Sequence, residues 1–333
     1  MASDSISPMR CVRAWMLAAA VASVLAHHAA AQANATALVT ARAPSEFFDL
    51  FPSPRPLPAG PTLDISFASG ALELSEPVIA DWITASARTI AAFYGRFPVD
   101  RLEVRVLSAE GSGVRSGSAN ADAGAALKIT LGRAVTRGQL SQDWILLHEL
   151  AHLAFPEVDR QHHWIEEGLA TYVEAIASTK AGRRTEADLW RWFDWGMPKG
   201  LPQSGDRGLD HTPTWGRTYW GGAMFCLLAD VEIRERTQGR RGLQDALRAI
   251  VATGGNMEVH WPLERALSIG DAAVGVPVLT QLYDKMKAAP VDVDLASLWQ
   301  RLGVAVNGNQ VVFNDDAPLA AIRRAITARE SES

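Results

Sequence analysis

His148, Glu149 and His152 are the residues of this chain whose types and spacing most directly suggest chemistry; they stand in the run His148-Glu149-Leu150-Ala151-His152. On an α-helix, residues four apart lie almost above one another. Both imidazoles can then reach one metal ion, while Glu149 projects beside them toward a water bound to that ion. The surrounding residues predict such a helix: Leu140, Trp144, Leu147 and Ala151 form an apolar stripe, the histidines fall on the adjoining face, and Pro156 ends the run. With 8 histidines in 333 residues, random placement would produce this motif only about 0.01 times, so its presence inside a helical pattern is informative.

A hydrolytic zinc site takes three protein ligands and keeps one position open for water. The metzincin arrangement, a glycine and then a third histidine shortly after the motif, is excluded because those positions hold Phe155 and Val158. Downstream of the motif stands Trp164-Ile165-Glu166-Glu167-Gly168-Leu169-Ala170-Thr171-Tyr172-Val173-Glu174, a second helix with two adjacent carboxylates that point roughly 100° apart. His162 and His163, in the turn before that helix, compete with them for the third place.

This second segment resembles the third-ligand helix of the gluzincin metallopeptidases, in which an aromatic residue precedes a Glu-Gly pair by three positions. The resemblance implies that Glu167 is the third ligand beside His148 and His152. It also implies that Glu174, seven residues on and on the same face, orients a zinc-bound histidine. Further along, Tyr219-Trp220-Gly221-Gly222-Ala223 and the following helix resemble the tyrosine-glycine segment of the glycyl aminopeptidase family and, more distantly, of the aminopeptidase N family. By that likeness Tyr219 donates to the oxyanion of the tetrahedral intermediate.

The resemblance spans about residues 120–260 and has departures. The gap between His152 and Glu167 is shorter than in the aminopeptidases, Gly221 stands where a lysine is usual, and Gly117-Ser118-Ala119-Asn120 replaces the glutamate-bearing segment that anchors a substrate amine. The implied activity is a zinc-dependent peptide hydrolase with one Zn2+ per chain, acting on a peptide or protein, with Glu149 assisting attack of metal-bound water. Its rival is a noncatalytic exported protein that holds a peptide or glycan on the same scaffold.

The elements that must position these residues are legible in outline. Leu63, Ile65 and Phe67 alternate as a strand, Glu76-Pro77 opens a helix to about Tyr94, and Leu102, Val104 and Val106 mark a second strand. A Gly/Ser-rich loop is expected from Gly111 to Gly124, then a strand from Ala126 to Leu131, which by resemblance is the sheet edge where an extended peptide adds. After Arg133, helices are expected at about 139–155, 164–178, 185–195, 219–237, 242–253, 275–288, 295–302 and 317–328. The fold class is α+β. A small N-terminal sheet with its helix and the zinc-binding helices occupy 62–180, and a helical C-terminal lobe at 181–333 completes a cleft; the resemblance implies that their core is that of a thermolysin-like gluzincin.

The ends and the composition complete the reading. Arg10 and Arg13 precede the apolar run Ala14 to Ala26 and an Ala-rich stretch ending at Ala31, the layout of a signal peptide over 1–31. Its apolar run falls short of the roughly 18–20 residues needed to span a bilayer, so the expectation is export to the periplasm or medium with no stable membrane anchor. Residues 32–61 carry Pro44, Pro52, Pro54, Pro56, Pro58 and Pro61 and read as an extended leader. A net charge of -5, with Lys and Arg scattered, leaves no electrostatic footprint for nucleic acid. Cleavage after Ala31 would leave Cys226 as the only cysteine, read as a buried small hydrophobe. Trp190, Trp192, Trp195, Trp215 and Trp220 crowd one stretch and are candidates for helix packing or for lining a cleft. Arg217 is read as a structural salt bridge in preference to a substrate-carboxylate contact.

Overall fold

A computed structural model of the protein describes residues 37–38, 61–68 and 70–329. The expected signal peptide, 1–31, and nearly all of the expected leader, 32–61, lie outside them. Strand β1 (Ala37–Leu38) runs antiparallel to β2 (Thr62–Phe67). Helix α1 (Glu76–Tyr94) then carries the chain to β3 (Arg101–Ala109), parallel to β2, with Ile65 opposite Val104 and Phe67 opposite Val106. Pro77 sits in the first turn of α1, where its missing N–H costs nothing, and Gly95 at φ 78° closes the helix in the left-handed region.

The segment expected to be a Gly/Ser loop is in part a strand. Strand β4 (Val114–Asn120) runs antiparallel to β5 (Ala126–Gly132), and β5 lies parallel to β3, which gives the order β1-β2-β3-β5-β4. The open edge next to the histidine helix is therefore β4, and the expected edge, Ala126 to Leu131, is an interior strand. An edge strand pairs through its backbone on one side only and needs no apolar alternation, so β4 shows none.

The expected helix 139–155 is two helices, α2 (Arg137–Ser141) and α3 (Ile145–His152). Thr136 and Gln139 form a capping box on α2, and Asp143 Oδ2 accepts the Leu146 N–H at 2.9 Å to start α3 afresh. The chain continues through α4 (His163–Lys180), α5 (Glu186–Gly196), a π-helical turn (Gly216–Gly221) and α6 (Gly222–Arg236). Helix α7 (Leu243–Ala252) is followed by an unexpected helix, α8 (Leu263–Val274), then α9 (Val278–Met286) and α10 (Leu295–Leu302). An unexpected hairpin, β6 (Val304–Asn307) and β7 (Gln310–Phe313), precedes α11 (Ala320–Thr327).

The architecture is α+β, a small sheet followed by a mostly helical region. One continuous apolar core joins them, from Ile90 and Leu127 through Leu150 and Val173 to Phe225 and Ile250. Among the described residues, no helix is long and apolar enough to cross a membrane.

Candidate active site

Helices α3 and α4 pack so that the two motif histidines face one carboxylate. His148 Nε2 lies 3.1 Å from Glu167 Oε2, and His152 Nε2 lies 3.6 Å from the same atom. One ligand atom from each of the three residues falls within 4.8 Å of the others. Two zinc bonds of about 2.0–2.1 Å at about 109° place neighbouring donors about 3.3 Å apart, and the two observed separations bracket that value. The donor set of two imidazole nitrogens and one carboxylate oxygen, mostly buried, therefore fits a zinc ion.

The two adjacent glutamates diverge. Glu166 accepts the Val158 N–H at 3.3 Å and lies 2.9 Å from His163 Nδ1, whereas Glu167 turns to the motif histidines. Of the competing third ligands, His162 points away, its Nδ1 2.9 Å from Asp210 Oδ1. His163 stays at the rim, its Nε2 3.3 Å from Glu167 Oε1, one turn away on the same helix.

Electrostatics follow from that convergence. Burial works to raise the Glu167 carboxyl, but His148, His152 and His163 hold it far below the usual carboxylate range, so it is ionised. Burial pushes His148 down, toward the neutral imidazole that a metal requires. For His152 burial also pulls downward, and the surrounding Glu167, Glu149 and Glu166 reverse it into a net rise. Glu149 is raised, first by burial and then by the Glu167 charge, while the Ala119 N–H and His152 oppose the rise. A carboxylate raised in this way is better suited to hold a proton in transit.

The edge strand shapes the place of Glu149. A Cβ built on Gly117 would stand 2.5 Å from Glu149 Cγ, so only glycine lets the carboxylate pack against β4. The sequence pattern reads Gly117 and Ala119 as loop residues and assigns them no contact with the motif.

Tyr219 enters from the π-helical turn. Its ring stacks on His148 at 6.1 Å and 21°, and its hydroxyl lies under the influence of the Glu167 carboxylate. Burial, then the Glu167 charge, pushes that hydroxyl well above its ordinary value, so it remains a donor. The π turn adds a residue to the helical repeat, a device frequent at functional sites. Arg217, in the same turn, is buried against Asp206, its Nε 2.8 Å from Oδ2, and its Nη1 donates to the Gly200 carbonyl, a structural clamp on the turn.

What holds α6 against α4 is a pair of glycines. A Cβ on Gly168 would meet the Gly222 backbone at 2.3 Å, and one on Gly222 would meet the Trp164 carbonyl oxygen at 2.2 Å. The backbones touch, and Tyr219 is carried to the histidines.

Glu174 departs from expectation. It is buried on α4, but its ion-pair partner is Arg184 Nη2 at 3.6 Å, and His148 Nδ1 has no hydrogen-bond partner among the described residues. Burial raises the Glu174 carboxyl from 4.5 to about 7, with Arg184 opposing and Asp143 adding. The folded chain thus binds this proton more tightly than the unfolded chain. The resulting stabilisation is complete below the unfolded value and is lost as pH rises through about 7. We expect Glu174 to contribute a fall of about 3 kcal/mol in the free energy of unfolding across that window, and Glu174→Gln to remove that part of the slope, while Asp143, which burial raises to about 6, keeps a slope of its own. Denaturant melts at about pH 5 and pH 8 check this, and an unchanged pH profile in the variant would remove Glu174 as the cause.

The tryptophan cluster divides. Trp190 and Trp220 are core residues, and Trp195 stacks on Trp192 at 4.7 Å, as helix packing requires. Trp215 instead stacks on Tyr219 at 6.1 Å. Cys226 is buried and free, its thiol pushed up by burial, in keeping with a small core hydrophobe.

No protein-family model matches the chain, and no curated protein matches it significantly. Among solved structures it is similar to an aminopeptidase N family protein from Idiomarina loihiensis at 15% identity, over 74% of this chain and 48% of that one, with a TM-score of 0.53. It is also similar to an M1 zinc metallopeptidase from Deinococcus radiodurans at 18% identity, over 72% and 51%, with a TM-score of 0.47. Yeast LTA4 hydrolase matches at 13% identity, over 74% and 43%, with a TM-score of 0.46. The chain spans about half the length of these structures. The first likeness shows a shared fold across three quarters of this chain.

Proposed function

We propose that this chain is a zinc-dependent peptide hydrolase of the gluzincin type, with His148, His152 and Glu167 as ligands. The observation that carries the reading is the convergence of two imidazole nitrogens on one ionised carboxylate at donor spacings suited to zinc. The peptide as substrate class is supported by the fold shared with an aminopeptidase N family protein. Zinc, when bound, polarises a carbonyl and lowers the pKa of a water to about 7.

The chain's own groups supply the rest. Glu149, held by the Ala119 N–H, takes the proton from the attacking water and returns it to the leaving amine. Tyr219 keeps its proton and donates to the carbonyl oxygen as negative charge develops there. The backbone of β4, an open edge beside Glu149, offers an extended peptide a line of pairing.

Incubation of the zinc-loaded chain with a mixed peptide library, with new termini read by mass spectrometry, tests the activity. Cleavage that stops on chelation and returns with zinc is expected; an intact library would overturn the reading. Tyr219→Phe should then lower kcat by about 10²–10³-fold with KM and zinc content little changed. An unchanged kcat would remove Tyr219 from the reaction.

A further inference from the structure

Among the described residues, the exposed large apolar side chains are Trp144, Trp195, Trp215 and Val312. Two of these indoles belong to one row of rings that passes through the candidate site. Trp144, expected in the buried apolar stripe, stands instead half-exposed one turn before His148 on the face that carries both motif histidines, its ring edge-on to His148 at 5.8 Å. At the other end, Trp215 stacks on Tyr219 at 29°, and Tyr219 stacks on His148. The row is thus Trp215, Tyr219, His148, Trp144, with a buried histidine inside it and indoles 51% and 43% exposed at its ends.

Trp195 supplies the contrast. It is as exposed as the other two, but its ring is stacked on Trp192 and carries the Lys199 ammonium 3.4 Å from its centroid. Trp144 meets His148 directly, Trp215 meets it through Tyr219, and each indole leaves apolar area exposed. Single exposed apolar residues are ordinary; two that bracket a reaction centre form a surface that a ligand gains by covering.

We infer that Trp144 and Trp215 are specificity-determining walls of the peptide site, and that they select a large apolar, above all aromatic, side chain beside the scissile bond. This rests on the peptide-hydrolase reading for its substrate class. Aromatic pairing of a benzyl group with either indole adds to the area it buries, whereas a methyl group gains little from either.

The test reads equilibrium binding and needs no turnover. The zinc-loaded full chain is titrated by calorimetry with 3-phenylpropionohydroxamate and with propionohydroxamate, which present the same metal-binding group and differ by one phenyl ring. The phenyl probe is expected to bind about tenfold more tightly to the wild type, and that advantage should fall below about threefold in Trp144→Ala and in Trp215→Ala. Trp144→Phe and Trp215→Phe, which keep a ring, and Trp195→Ala, outside the row, should retain it. Equal affinities for the two probes in the wild type, or an undiminished advantage in both alanine variants, would overturn the inference. Cleavage of peptides without the phenyl preference would sink this inference alone. The preference without cleavage would sink the hydrolase reading and leave the aromatic walls standing, and a chain that takes up no zinc would overturn both.

Discussion

Glu149→Gln keeps its zinc and loses peptide hydrolysis, with kcat expected to fall by roughly 10²–10⁴-fold. The substitution preserves shape, which matters because the side chain is wedged against Gly117 of the edge strand with no room for a Cβ there. The amide oxygen can still accept the Ala119 N–H, so the helix, the strand and the three ligands keep their places. What is removed is the basic oxygen that takes the proton from water. Kinetics on a cleaved library peptide, with metal content measured on the same sample, check the prediction. Retained turnover would assign the proton to another group and end the proposed role of Glu149.

Gly168→Ala is expected to destabilise the fold strongly, although alanine ordinarily stabilises a helix relative to glycine by about 0.5–1 kcal/mol. At this position the new methyl would stand 2.3 Å from the backbone of Gly222, and backbone cannot swing aside as a side chain can. Helices α4 and α6 must separate, at a cost of about 3 kcal/mol and roughly 5–10 °C in Tm. The separation also draws Tyr219 away from Glu167, so kcat should fall beyond what lost stability explains. Gly138→Ala, on the short helix α2, is the control. Its nearest neighbour would be Thr136 Oγ1 at 4.0 Å, and a neutral or slightly positive shift is expected. Thermal melts of the two variants beside wild type decide the matter; equal melts for all three would show that the crossing tolerates a side chain.

These two sites differ in how far sequence reveals them. The histidine pair and Glu149 are legible because their geometry is local: spacing along one helix fixes which side chains share a face. Glu167 becomes legible through the aromatic and glycine around it. The Gly168 and Gly222 contact is silent in sequence, because a glycine that admits a neighbouring backbone looks like any other glycine. Strand β4 is silent for a related reason, since an edge held by backbone pairing, with Gly117 making room for Glu149, carries no apolar alternation. Other omissions had a signal. Leu263, Ala266, Leu267, Gly270 and Val274 are buried at helical spacing in α8, and Gly308-Asn309 forms the two-residue turn of the C-terminal hairpin. The Glu174 expectation failed because seven residues along a helix fix a face and not a partner; Arg184 arrives from the loop after α4.

The central claim is the ligand set, and metal content by mass spectrometry tests it most directly, on the purified wild-type chain beside Glu167→Ala and Glu166→Ala. One zinc per chain in the wild type and in Glu166→Ala, with none in Glu167→Ala, is the predicted result. A wild-type chain that takes up no zinc when it is supplied, or a Glu167→Ala chain that binds it as well as the wild type, would contradict the account.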